Sequence, residues 1–211
     1  MPRRQLEALQ LERLKSLVDY CEKNSAFYSA RLAAAGVTAD KIKCLSDIQY
    51  IPYTTKADLR DTYPFGMLSV PKEKIVRIHA SSGTTGNPTV VAYTREDLEN
   101  WSEQVARVAV AAGATEGTVV QICFGYGMFT GALGLHYGLE KIGAAVVPTS
   151  SGNTEKQLKF MRDFQTDAIV ATPSYCMYLA EAARNLSDKY PMESYKLKYG
   201  ILGSEGSTPE M

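Results

Sequence analysis

The chain has 211 residues, 45% hydrophobic and 22% charged, an ordinary globular mix for one large domain or most of two. Lys plus Arg and Asp plus Glu both total 23, and this neutrality argues against an electrostatic nucleic-acid binder while leaving room for a local anion site. No stretch reaches the ~20 apolar residues of a membrane span, and "MPRRQLEALQ" opens an amphipathic pattern, not an apolar signal segment. Cys21, Cys44, Cys123 and Cys176 lie far apart, without CxxC or zinc spacing, so reduced thiols and a cytoplasmic setting are expected.

Leu6, Leu9, Leu14, Leu17 and Val18 recur at helical spacing among Arg, Glu and Lys, which predicts an amphipathic helix with a core-facing stripe. A second helix is predicted over about 25–35, stopped by Gly36. The segment 37–66 carries turn signals at Pro52, Pro64 and Gly66, with one short helix near 55–61 that Thr54 or Thr55 could cap. "KIVRIHA" and "PTVVAY" then read as strands. The next helix follows Thr94, shows Leu98, Trp101, Val105 and Val108 on its apolar face, and ends at Gly113. After it come strand "TVVQICF", glycine-loosened helix "MFTGALGLHYGLEKIG", strand "AAVVP", a helix capped by Asn153 or Thr154, strand "AIVAT", helix "PSYCMYLAEAARNL" and strand "LKYGILGSE".

Strand and helix alternate from residue 114, and the strands are short and nearly all apolar, as strands buried on both faces are. The expected fold class is α/β: an amino-terminal helical layer, then a mostly parallel sheet with helices on both faces. The expected division is a helical and loop segment, 1–70, followed by an α/β part, 71–211. Ligands of open parallel sheets sit at the carboxyl ends of strands. Three unusual stretches fall at such ends: "GYGMFTG", "TPSY" and "GSEGS".

"SSGTTGNPT", residues 81–89, joins two of the predicted strands. Gly83 and Gly86 lack Cβ bulk and permit positive φ, so backbone N–H groups can converge. Ser81, Ser82, Thr84 and Thr85 add hydroxyl donors that suit phosphate oxygens. The same composition also makes an ordinary turn. A Walker P-loop is excluded, because it needs GxxxxGK[ST] opening a helix and no lysine lies between Lys74 and Lys141. Lone histidines His79 and His136 are packing residues or anion donors on this reading.

"SSGTTGNPT" resembles the phosphate loop of the adenylate-forming enzymes. The wider stretch "VRIHASSGTTGNPTVVAYTREDLENW", with "FGYGMFTGALGLHYGLEKIGAAVVP" and "ATPSY", is similar to the phenylacetate–CoA ligase family. The resemblance covers essentially the whole chain. It implies that an aryl acid and ATP, with Mg2+, give an acyl adenylate, whose acyl group passes to coenzyme A. It also implies that Ser81, Ser82, Gly83, Thr84, Thr85 and Gly86 embrace the ATP phosphates. Gly203, Ser204 and Glu205 would lie against the adenine, and Phe124, Tyr126, Phe129 and Gly131 would line the acid pocket. Glu205 could alternatively bind magnesium or be a solvated loop acid.

Two departures from the family pattern matter. Thr89 stands where the superfamily often has lysine, so the loop lacks a fixed cation. The family's later motifs for magnesium, ribose and the catalytic lysine are absent from this sequence, so the catalytic residues are unknown and no metal ligand is assigned. The resemblance therefore implies an amino-terminal half that is inactive by itself, with a missing carboxy-terminal half or a second copy as partner. Its other partners are expected to be small molecules, not nucleic acid or a membrane.

Overall fold

The computed structural model describes residues 1–83 and 86–209. The chain divides into two compact units, Met1–Arg95 and Glu96–Met211.

The first unit opens with helices α1 (Arg3–Asn24) and α2 (Ala26–Ala34). Ser25 separates them and its side chain caps α2. Val18, Leu32, Val37 and Ile42 form the buried core, with Leu11, Leu14, Cys21 and Tyr28 against it. The expected stripe needs correction, because Leu17 is 57% exposed and Leu6 is also exposed. Neighbouring helical residues point about 100° apart, so Val18 and Leu17 cannot share one narrow seam. Leu11, Leu14, Val18 and Cys21 define the inward line instead. Gly36 turns the chain out of α2 at φ +66°. The short helix α3 (Lys56–Asp61) starts with a reciprocal cap: Asp58 Oδ2 accepts the Thr55 N–H at 2.7 Å, and Thr55 Oγ1 accepts the Asp58 N–H at 3.4 Å. Strands β1 (Ile75–Ala80) and β2 (Val90–Thr94) pair antiparallel, closed by Ala80 opposite Val90. Residues 81–89 are thus the loop of a hairpin.

The second unit holds α4 (Arg95–Ala111, its first residue contributed by the first unit), β3 (Val119–Ile122), α5 (Gly131–Lys141), β4 (Ala145–Val147), α6 (Thr154–Asp163), β5 (Ala168–Ala171), α7 (Pro173–Asn185) and β6 (Tyr199–Leu202). The strand order is β4-β3-β5-β6, and every neighbouring pair is parallel. β5 is buried throughout, as its unbroken apolar run requires. Asp167 ties three strand starts together. Its carboxylate accepts the Val119 N–H at 3.0 Å and the Lys198 ammonium at 2.9 Å, while its carbonyl accepts the Lys198 N–H at 2.8 Å.

Helices α4 and α5 meet at glycines. A Cβ built on Gly134 would lie 2.4 Å from the Trp101 ring, and one on Gly138 would lie 2.4 Å from Val105 Cγ1. Gly134 and Gly138 are therefore close-approach positions, not loosening ones, and α5 begins at Gly131. The apolar face expected for α4 also shifts. Val108 is 56% exposed, and the small residues Ala106 and Ala109 are buried in its place. Small side chains let two helices approach where a valine would hold them apart.

The chain runs from β3 outward to β4, then crosses back to β5 on the other side of β3. Between β3 and β5 the winding reverses. Side-loops diverge there and leave a crevice outside the carboxyl ends of the two strands.

Candidate functional site

The crevice at this reversal is occupied by a cleft of about 420 Å³. Cys123, Phe124 and Gly125 enter it from the end of β3, and Ser151 enters from the loop after β4. Thr172, Ser174, Tyr175 and Tyr178 close it from the end of β5 and the first turns of α7. The lining is mixed: two tyrosines and a phenylalanine give apolar faces, and the hydroxyls of Ser151, Thr172 and Ser174 give donors. Tyr175 and Tyr178 lie stacked, with ring centroids 6.2 Å apart. Burial pushes the Cys123 thiol up to about 11, so it is not a thiolate nucleophile at neutral pH.

The start of α7 is well capped. Pro173 occupies the first turn, and Thr172 Oγ1 accepts the Tyr175 N–H at 3.2 Å. The Ser174 N–H donates to the Glu205 carboxylate at 2.6 Å. Hydrogen bonds from Ser174, its hydroxyl first and then its amide, hold Glu205 below the usual carboxylate range. Residues Gly203 to Glu205, which follow β6, are therefore brought to the cleft's α7 side by a specific bond. Ser204 sits at φ +73°, a left-handed turn that swings Glu205 round.

The glycine–aromatic segment splits in two. Phe124 lines the cleft, and its ring lies 3.8 Å from where a Cβ on Gly131 would be. Tyr126 is half-buried and its hydroxyl lies 3.1 Å from His136 Nδ1. His136 Nε2 lies 3.1 Å from Glu140 Oε1. A neutral imidazole that donates from Nε2 to the carboxylate keeps Nδ1 free to accept the phenol proton. Burial raises the Tyr126 phenol to about 12, so it stays protonated in this chain. Phe129 is 60% exposed and does not line the cleft.

The 81–89 loop belongs to the first unit. Ser81 donates its N–H to the Thr89 carbonyl at 2.9 Å, and its Oγ accepts the Thr89 N–H at 2.9 Å. These two bonds clamp the loop's base. Gly83 takes φ +66° and Gly86 φ +124°, conformations that favour glycine, and the Gly86 N–H returns to the Gly83 carbonyl at 3.1 Å. Ser82 is exposed at the rim. Thr84 and Thr85 lie outside the described residues. His79, just before the loop, is buried edge-to-face against Tyr93 at 5.7 Å.

Sequence reasoning missed Ser151 and Tyr178 as cleft residues. Tyr178 is one helical turn beyond "TPSY", and that spacing could have found it. Ser151 carried no local signal, because only the sheet order brings it beside Gly125. Among the described residues, no group of three His, Cys, Asp or Glu side chains could hold a metal ion, and no helix is long and apolar enough to cross a membrane.

No protein-family model matches the chain. It is 48% identical, over 98% of its length, to the phenylacetate-coenzyme A ligase of Escherichia coli strain K12. It is 49% identical, over 97% of its length, to the enzyme of that name from Thermus thermophilus. By sequence, this chain is a relative of the phenylacetate–CoA ligases. It spans about half the length of those two ligases, 47% and 46%. The fold agrees. A solved 2-hydroxyisobutyryl-CoA ligase in complex with 2-HIB-AMP and CoA superposes with a TM-score of 0.90 at 27% identity. The match covers 97% of this chain and 44% of that one. The α/β architecture expected from the alternating strands is thus that of an adenylate-forming ligase, and the phenylacetate–CoA ligases are the relatives nearly half identical to it.

Proposed function

We propose that this chain supplies part of an ATP-dependent ligase that activates phenylacetate, or a related aryl acid, to an acyl adenylate and then to its CoA thioester. The observation that carries this reading is 48% identity to phenylacetate-coenzyme A ligases along 98% of the chain. The cleft's chemistry supports it: a flat ring suits Phe124, Tyr175 and Tyr178, and neighbouring hydroxyls suit a carboxylate.

Roles are assigned element by element. The clamped hairpin loop, Ser81 to Gly86, holds phosphate oxygens with amide and hydroxyl donors. The cleft beside Phe124 orients the aryl acid, and Gly203 to Glu205 would approach the adenine. Orientation of nucleophile and leaving group is the main contribution such residues make to acyl adenylation. Magnesium would arrive with the nucleotide. The loop's own groups are neutral hydroxyls and amides, a poor cage for a hard dication, so no step is assigned to a protein-held metal. A cytoplasmic setting is proposed from the reduced-thiol reading, and a second copy or a further polypeptide is the proposed partner.

A second acid class has a specific observation behind it. The ligase of TM-score 0.90 is named for 2-hydroxyisobutyryl-CoA, the thioester of a branched hydroxy acid. Calorimetric titration of the chain with ATP–magnesium tests the nucleotide role, with Ser82→Ala/Thr84→Ala/Thr85→Ala as the control. Binding that the triple variant loses supports the loop assignment. Equal heats from both proteins, or none from a folded parent, would remove it. Titration with phenylacetate and 2-hydroxyisobutyrate separates the two acid classes.

A further inference from the structure

We propose that Gln157, which lies behind the cleft, is a positioning residue that sets the cleft wall at Ser151 and Gly125, and the Tyr126 backbone next to it, and so tunes which acid fits. The proposal rests on reading the cleft as the acid site.

The starting observation is an anomaly. β3 is buried on both faces, yet Gln121 in its middle is fully buried. A buried amide is unfavourable unless its hydrogen bonds are made. Gln121 Nε2 donates to Gln157 Oε1 at 2.7 Å and to the Gln157 carbonyl at 3.2 Å, and its Oε1 accepts Thr166 Oγ1 at 3.4 Å. Gln157 is itself only 2% exposed. Because its Oε1 faces Gln121, its amide nitrogen must point the other way, and both N–H groups are committed. They donate to the Ser150 carbonyl at 2.8 Å and the Gly152 carbonyl at 3.2 Å.

Those carbonyls belong to a strained loop. Ser150 has φ +62°, Gly152 φ +86° and Asn153 φ +48°. Non-glycine residues held left-handed persist where surrounding structure over-determines them, and Gln157 is that support. The loop in turn presents Ser150 Oγ to the Tyr126 N–H, a long bond of 3.4 Å. It also places Ser151 Oγ 3.6 Å from where a Cβ on Gly125 would stand. A buried amide pair thus reaches the cleft wall through two backbone carbonyls.

The test uses Gln157→Glu in the 211-residue chain. Glutamate keeps an acceptor for Gln121 and loses both donors when ionised. Hydrogen exchange at Ser150 to Asn153 and at the Tyr126 amide is expected to speed up about tenfold, as loss of buried hydrogen bonds allows, with β5 amides unchanged. The Kd for phenylacetate is expected to rise about tenfold, and the preference between phenylacetate and a para-substituted analogue to narrow. If that variant fails to fold, Gln157→Met, of similar volume, carries the same two readouts. Unchanged exchange at Tyr126 overturns the proposal. So does faster exchange with unaltered affinity and selectivity, which would leave Gln157 a stability residue only. If the parent takes no phenylacetate, the acid-site reading fails separately, and Gln157 stands or falls on whether Tyr126 exchange follows that of Ser150.

Discussion

The Glu205 carboxylate accepts the Ser174 backbone N–H at 2.6 Å, joining the loop after β6 to the first turn of α7. A carboxylate at a helix amino terminus satisfies an orphan donor and faces the positive end of the helix dipole. Glu205→Gln is expected to lower the melting temperature at pH 7. The Glu205 pKa is depressed, so its contribution is present above the ordinary carboxylate value of 4.5 and is lost as pH falls through the folded value. Melts of parent and variant should therefore converge at acid pH. A gap that persists once the carboxylate is fully protonated would mean the side chain acts through something other than its charge.

Asp58 offers the same logic in the first unit, with a wider window. Its carboxyl is held at about 2, against an ordinary 3.8, by the Thr55 backbone N–H first and then by Arg31 at 2.9 Å. Asp58→Asn should destabilise the α2–α3 region at neutral pH, and the difference should fade between pH 3.8 and about 2. Chemical denaturation across that range checks it, and a pH-independent difference would contradict it.

Gly138 is expected to reject alanine. Helix propensity alone favours Gly→Ala by about 1 kcal/mol. Against that, the new methyl would meet Val105 Cγ1 at 2.4 Å and the Ala106 backbone nitrogen at 3.0 Å. Overpacking of this kind costs about 1–3 kcal/mol, so the net sign is destabilising and the urea midpoint should fall. Gly127→Ala is the control, because nothing lies within 4 Å of its built Cβ. A stabilised Gly138→Ala would show that α4 and α5 can separate at no cost.

Gly83→Ala should weaken ATP–magnesium binding without unfolding the chain. The residue sits at φ +66°, and a Cβ there would lie 3.1 Å from the Gly86 carbonyl. Left-handed backbone costs an L-residue about 1–2 kcal/mol, enough to move the loop. Calorimetry on both proteins decides it, with equal affinity counting against the phosphate role.

The order of strands and helices from β3 to β6 was readable because each buried strand is a short apolar run and each helix has a cap or a glycine stop. Gly36 was legible for the same local reason, and the caps of α3 and α6 were each legible as one of two candidates, of which the structure uses Thr55 and Asn153. What escaped was set by tertiary contact. Leu17 and Val108 look like core residues by spacing, and only the inward line through Val18 and the alanines of α4 shows otherwise. Gly134 and Gly138 read as looseness until Trp101 and Val105 are seen against them. In the cleft, Phe124 and the "TPSY" turn were visible as strand-end signals. Ser151 and the Gln121–Gln157 pair were not, because their meaning depends on which strands are neighbours, and sequence order does not state that.

Trp101 is the only tryptophan in the chain, and its ring lies against Gly134, where α4 meets α5. Indole emission from this protein therefore has a single origin. Its colour and quenching report the wetting of the α4–α5 seam in the second unit. A denaturation curve read by that light and one read by circular dichroism, which sees both units, are separate questions put to one molecule. Where the two curves part, the units come undone at different denaturant concentrations.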